Sequence, residues 1–224
     1  MSTWARRFGD ITAIITEDSV NRKTGSMLQV WIVPTGVSPL DAVRTGLDEK
    51  VCGRCGARPR IGGWCYCDPR PLMSLWKGRH SWRPFNLNEL PPEVPVRLGA
   101  WGDPAFLPLD WLHRLVEGRD WTGYTHQWRT CGQRYRHLLM ASVDFPEEAR
   151  TARKAGWRTF RIRLPDEPLL AGEVPCRYAR GKTCSECRLC GGGTSGPSVS
   201  IVAHGTRVRR YFEFCERRLL RTGV

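Results

Sequence analysis

The sequence predicts an α/β fold, either a mostly parallel sheet or a partial (βα) barrel, forming one domain over residues 1–224 and carrying two cysteine-rich metal loops. Three observations predict it. From residue 96 onward, apolar runs of strand length alternate with amphipathic stretches of helical length, and that order gives parallel strands joined by right-handed crossovers. Gly and Pro punctuate most of the junctions. Eight of the ten cysteines fall in two short segments, 51–68 and 175–193, which interrupt the alternation as inserted loops.

Taken in order, residues 1–20 alternate weakly through Ile11, Ala13, Ile14 and Ile15 and suit a strand or hairpin arm, after which residues 21–25 supply a turn. Residues 27–33 read as a buried strand ended by Pro34 and Gly36. Residues 41–46 suit a short helical turn closed by Gly46. Beyond the first cysteine loop, residues 71–78 begin with Pro and end with Gly, as a two-turn helix does. Residues 79–95, rich in Pro and Asn, read as a surface crossing. A strand at 96–101 runs into Gly102-Asp103-Pro104, and the helix expected over 108–118 sets Leu109, Leu112, Leu115 and Val116 on one face. Strands follow at 121–128 and 137–143. The helix expected over 144–156 has Asp144 as N-cap, Glu147 and Glu148 in its first turn, Arg153 and Lys154 in its last, and Gly156 as its stop. Residues 157–164 alternate apolar and basic as a strand. The last strand is expected at 198–204, and a basic helix runs from about Thr206 to Leu220.

Charge narrows the partners. Lys and Arg number 35 against 22 Asp and Glu, giving a net charge of +13 with Arg predominating. Guanidinium groups fork onto phosphate and stack on bases, so a nucleic-acid partner is expected, although the same surplus also serves solubility alone. No apolar run approaches the roughly 18 residues of a membrane span, and the first residues lack a signal-like core. The expectation is a cytoplasmic protein with no membrane partner; its oligomeric state is left open. In a reducing compartment, clustered Cys-x-x-Cys spacings favour metal over disulfides.

Cys52, Cys55, Cys65 and Cys67 offer four thiolates to zinc or three to an iron-sulfur cluster, and the tight Cys65-x-Cys67 pair leaves little slack for a tetrahedral zinc ion. Downstream, Cys184-x-x-Cys187-x-x-Cys190 with Cys176 favours an iron-sulfur cluster, with zinc as the alternative. Cys131 and Cys215 read as small buried apolar residues. Ligands of parallel α/β folds gather at the carboxyl ends of strands. His126 with Gln127, Asp144, Arg161 or Arg163, and His204 occupy such ends, so His126, Asp144 and His204 are the catalytic candidates. No Ser-His-Asp order, P-loop or dinucleotide fingerprint is present.

The segment from Gly99 through Gly102-Asp103-Pro104 to Pro108 resembles the Gly-Gly-Glu-Pro segment of radical S-adenosylmethionine enzymes, with Asp for Glu. That resemblance implies a partial barrel, S-adenosylmethionine bound by Gly99, Gly102 and Asp103, a working cluster on Cys52, Cys55 and Cys65, and an auxiliary cluster on the downstream four. The family's usual loop is Cys-x-x-x-Cys-x-x-Cys, whereas the spacings here are two, nine and one. Segments such as Asn21-Arg-Lys-Thr-Gly-Ser-Met, Thr122-Gly-Tyr-Thr-His-Gln-Trp and the downstream cysteine loop also resemble a phage- and plasmid-borne cysteine-rich family that has no established activity. Together these readings lead to an iron-sulfur protein of mobile-element type, radical S-adenosylmethionine-like if an enzyme, acting on a nucleic-acid-related substrate. The alternative is a zinc-stabilised nucleic-acid-binding protein without catalytic activity.

Overall fold

The computed structural model describes residues 2–17 and 21–222. Its strands are β1 (Thr3–Phe8), β2 (Ile11–Thr16), β3 (Leu28–Pro34), β4 (Arg83–Pro84), β5 (Val96–Trp101), β6 (Trp121–Thr125), β7 (Met140–Val143), β8 (Thr159–Arg163), β9 (Glu173–Pro175) and β10 (Ser198–Val202). Its helices are α1 (Pro39–Thr45), α2 (Glu49–Cys52), α3 (Arg70–Lys77), α4 (Leu109–Val116), α5 (Pro146–Lys154), α6 (Cys184–Cys187) and α7 (Val208–Thr222). The strands form one mixed sheet in the order β4-β1-β2-β3-β5-β6-β7-β8-β10-β9. From β3 through β10 every neighbouring pair is parallel, and the order climbs without reversal to β10.

The expected α/β class is therefore observed, with three differences. β1 and β2 form an antiparallel hairpin that continues antiparallel onto β3, so the sheet is mixed. Residues 79–95 contribute the two-residue edge strand β4 beside β1, in what reads from sequence as a surface crossing. Asp144 does not cap α5: Pro146 occupies the first turn and fixes the cap at Phe145, while the Asp144 N–H donates to Glu148 Oε2 at 3.0 Å. Among the described residues, no helix is long and apolar enough to cross a membrane.

Because side chains alternate across a strand, register divides the sheet into two faces. On one, Leu28, Val30, Ile32, Val96, Leu98, Ala141 and Val143 pack with Leu112 and Leu115 of α4 and Ala149 and Ala152 of α5 in the main core. The opposite face carries Gln29, Arg97, Tyr124, His126, Ser142 and Phe160 on neighbouring strands. Helices do not close it in the same way. Ile162 meets Trp64 and Cys55 of the first cysteine loop and Tyr211 and Cys215 of α7, while Met140 and Val199 meet Cys190 of the second. One face of the sheet thus builds the core, and the other receives both cysteine loops.

Candidate functional site

The upstream loop is organised by one buried side chain. Arg58 forks onto Asp48, Nε to Oδ2 at 3.0 Å and Nη2 to Oδ1 at 2.9 Å, and also donates to the Gly53 and Gly46 carbonyls. Backbone bonds from Cys55 N to Cys52 O and from Cys65 N to Ala57 O then fold the two halves of the loop together. All four thiols are unoxidised. Burial pushes the Cys52 thiol well above its ordinary value, and Cys55, Asp48, Asp103 and Cys67 push it the same way. A hydrogen bond between Cys65 and Cys67 raises the first and lowers the second. Crowded thiols of this kind give up protons when a cation arrives to replace them.

The downstream loop is held from three sides. A capping box of Thr183 and Glu186 opens α6, and Arg188, left-handed at φ 55°, turns the chain toward Cys190. The turn at 21–25 docks against it, the Lys23 and Thr24 carbonyls accepting the Cys184 and Ser185 N–H groups at 2.9 Å each. From β8's entry, Arg158 donates to the carbonyls of Leu189, Gly191, Gly192 and Pro197 at 2.7–3.0 Å. Gly192 passes so close to the 138–139 peptide that a Cβ there would lie 2.3 Å from the Leu138 carbonyl carbon. Burial raises the thiols of Cys176 and Cys184, and that of Cys190 to about 12. The thiols of each set act electrostatically on members of that set.

Arg97 of β5 acts on both groups, lowering Cys67 in one and Cys184 in the other. Among the described residues, no three or more His, Cys, Asp or Glu side chains are gathered closely enough to hold a single metal ion. Four thiolates on one zinc, at about 2.3 Å each, must lie nearly in contact. A polynuclear cluster sets its thiolates further apart, because iron and sulfide stand between them.

The strand ends beside the upstream loop bring several of the expected residues together. Asp103 N donates to Val51 O at 2.6 Å, tying the Gly-Asp-Pro turn to α2, and Gln127 Nε2 donates to Cys52 O at 3.0 Å. The Asp103 carboxylate is buried and fully engaged, accepting from Ala105 N at 3.0 Å and from His126 N at 2.8 Å. Burial raises its affinity for a proton, against those two bonds. Gly99 and Gly102 have φ of 75° and 81°, and a Cβ on Gly102 would sit 2.6 Å from Ile32 O, so both glycines are needed by the backbone itself. His126 lies beside Cys55; burial would lower its imidazole, but Cys55, Asp144 and Asp103 raise it to about 10. Asp144 follows β7, and burial pushes its carboxyl up to about 6. The two line a cleft of about 180 Å³ with Ser142 and Cys55.

The third catalytic candidate lies elsewhere. His204 stacks on Tyr66 with ring centroids 5.7 Å apart, bonds the Val202 carbonyl through Nδ1, and contacts Lys23 through Nε2. It therefore stands between the two cysteine loops. Arg161 is buried in a bidentate pair with Glu173, and Arg163 donates to the carbonyls of Leu164, Pro165 and Glu167. Cys215 is buried as expected, while Cys131 is only half-buried. Arg58, Arg158, Lys23 and Ser142 were not singled out by sequence. Only the Arg58–Asp48 spacing left a local trace, since the other contacts join distant segments. Compared with family models, with curated proteins and with solved structures, the chain matches none of them.

Proposed function

We propose that this chain is an iron-sulfur protein with two four-thiol sites, built as a radical S-adenosylmethionine-like partial barrel and acting on a nucleic-acid-related substrate. The observation that carries the reading is the unreversed parallel run β3-β5-β6-β7-β8-β10, whose upstream strand ends meet a cysteine quartet. A doubly wound sheet reverses its order at a switch point, whereas a barrel-type sheet climbs steadily. Cys52, Cys55, Cys65 and Cys67 would hold one cluster, and Cys176, Cys184, Cys187 and Cys190 the other. A bound cluster supplies one-electron chemistry at the strand ends. Arg58 and Arg158 fix the two loops; Gly99 and Gly102 let the backbone approach; Asp103 joins the β5 turn to β6 and α2. Because Asp103 already accepts two backbone bonds, it serves a cofactor amine through the shape of its turn rather than through a free carboxylate.

Anaerobic purification followed by iron and acid-labile sulfide analysis tests the reading. Iron and sulfide in equal amounts are expected, with about half of each lost on replacing Cys184 and Cys187 by Ser. A colourless protein containing zinc overturns it. The second reading, a zinc-stabilised nucleic-acid-binding protein without catalysis, is favoured by the net charge of +13. It requires binding to DNA or RNA that weakens steeply with salt.

A further inference from the structure

Beside the upstream quartet, the β6 and β7 ends leave polar atoms buried without partners. The cleft there is lined by Arg54, Cys55, His126, Ser142, Asp144 and Arg129, among others, and has a volume of about 180 Å³. Asp144 is 8 % exposed, yet among the described residues its Oδ1 has no hydrogen-bond partner, and neither has His126 Nε2. Unpaired buried polar atoms of this kind cost about 1–3 kcal/mol each, and a ligand that pairs them recovers that energy. Asp144 Oδ1 is an acceptor, so the deep end of the cleft asks for a hydrogen-bond donor.

The mouth has the opposite chemistry. Arg54 is exposed and makes no ion pair among the described residues. Arg129 lies 3.9 Å over the Trp128 ring and reaches Glu148 at 3.3 Å; Arg218 reaches Glu148 and Glu147 at 3.5 and 3.1 Å. Glu148 Oε2 is further occupied by the Asp144 N–H. Three guanidinium groups therefore meet two rim carboxylates, Glu147 and Glu148, and the one left over, Arg54, favours an anion. The enclosed volume is below the roughly 300 Å³ of drug-sized pockets, so it holds a single ring while the rest of the ligand sits in the mouth.

We infer that this cleft binds a phosphorylated nucleoside, with the phosphate on the Arg54, Arg129 and Arg218 rim and the donor edge of the base on Asp144. The inference rests on the proposed function only in placing the ligand beside the upstream cluster, and it deepens that reading by naming a substrate class. The phosphate belongs either to a free mononucleotide or to the end of a polynucleotide chain.

Calorimetric titration of the metal-loaded full chain tests it, using the common nucleoside monophosphates, the matching nucleosides, and a short 5′-phosphorylated oligonucleotide. At least one monophosphate should bind, and its nucleoside should bind about tenfold more weakly or worse. Arg54→Ala and Asp144→Asn should each weaken binding about tenfold. Arg209→Ala, which removes the same charge from an α7 side chain 92 % exposed, should leave it unchanged. Tighter binding of the oligonucleotide than of the monophosphate assigns the polynucleotide source, and equal binding assigns the free nucleotide; both support the site. No binding by any phosphate-bearing probe, or an equal loss in the Arg209 variant, overturns it. Arg54 is on the surface, so its variant remains informative if Asp144→Asn does not fold. A protein with full iron and sulfide that binds none of the probes refutes this site alone, and a zinc protein that binds them refutes only the cluster.

Discussion

Replacing Arg158 by Met should loosen the downstream cysteine loop and leave the upstream one intact. The guanidinium donates five hydrogen bonds to four carbonyls between Leu189 and Pro197, and Met keeps most of the stem while removing all five. A bond from a charged donor is worth about 1.5–3 kcal/mol. The site is half-buried, so water re-enters and restores part of that, leaving a net local loss of about 3 kcal/mol. At 1.4 kcal/mol per decade, the loop should open about two orders of magnitude more often. Cys190 is 8 % exposed and reports the opening directly, while Cys55, also 8 % exposed, is the internal control. Alkylation of the metal-free protein with iodoacetamide, followed by peptide mass spectrometry, gives both rates in one experiment. Cys190 should accelerate about a hundredfold relative to Cys55. Equal acceleration at both cysteines would mean global destabilisation, and no change at Cys190 would mean that the arginine does not hold the loop; either refutes the argument.

Glu173→Gln breaks the buried pair with Arg161, whose bonds measure 2.9 and 2.8 Å, and should lower the unfolding free energy by about 3–5 kcal/mol in urea denaturation at neutral pH. Burial alone would raise the Glu173 carboxyl, but the Arg161 fork more than offsets this and lowers it. A lowered native value means the contribution is present above the unfolded value near 4.3 and is lost as pH falls through the native one. Wild type should therefore lose more stability than the Gln variant between about pH 5 and pH 3, and parallel curves would contradict the assignment. Gly192→Ala sets a Cβ 2.3 Å from fixed backbone and should cost about 3 kcal/mol, whereas Gly132→Ala, whose nearest side-chain neighbour is 4.0 Å away, should stay within about 0.5 kcal/mol. Thermal unfolding of the pair checks the contrast. Leu112→Ala, at a fully buried α4 position, should lower stability by about 2–5 kcal/mol in the same assay.

The elements that sequence made legible are those whose patterns are local. β3, β5 to β8 and β10 follow from apolar runs bounded by Pro and Gly; α1 shows its Gly46 stop at φ 86° and α5 its charge gradient. β9 spans only Glu173–Pro175, too short to alternate, and it forms because Glu173 reaches back to Arg161. The β1–β2 hairpin turns at Gly9, and Thr3–Phe8 holds two adjacent arginines, which blurs the period. At the candidate site, spacing singled out eight cysteines as candidate ligands. The tertiary contacts that arrange them were hidden, because the partners of Arg158 and Cys184 are distant in the chain. His126 and Asp144 share a cleft because β6 and β7 are neighbours, and His204 does not because β10 lies beyond β8.

The docking of the Lys23–Thr24 turn onto Cys184 and Ser185 sets a timetable for assembly. The two partners are far apart in the sequence, so the downstream loop has no seat until both segments have been made. Contacts between such distant segments form slowly, after their loop-closure entropy has been met. Until then the Cys184 and Ser185 N–H groups lack the carbonyls that hold them in the folded chain. Seating of the downstream loop is thereby made a late act of folding.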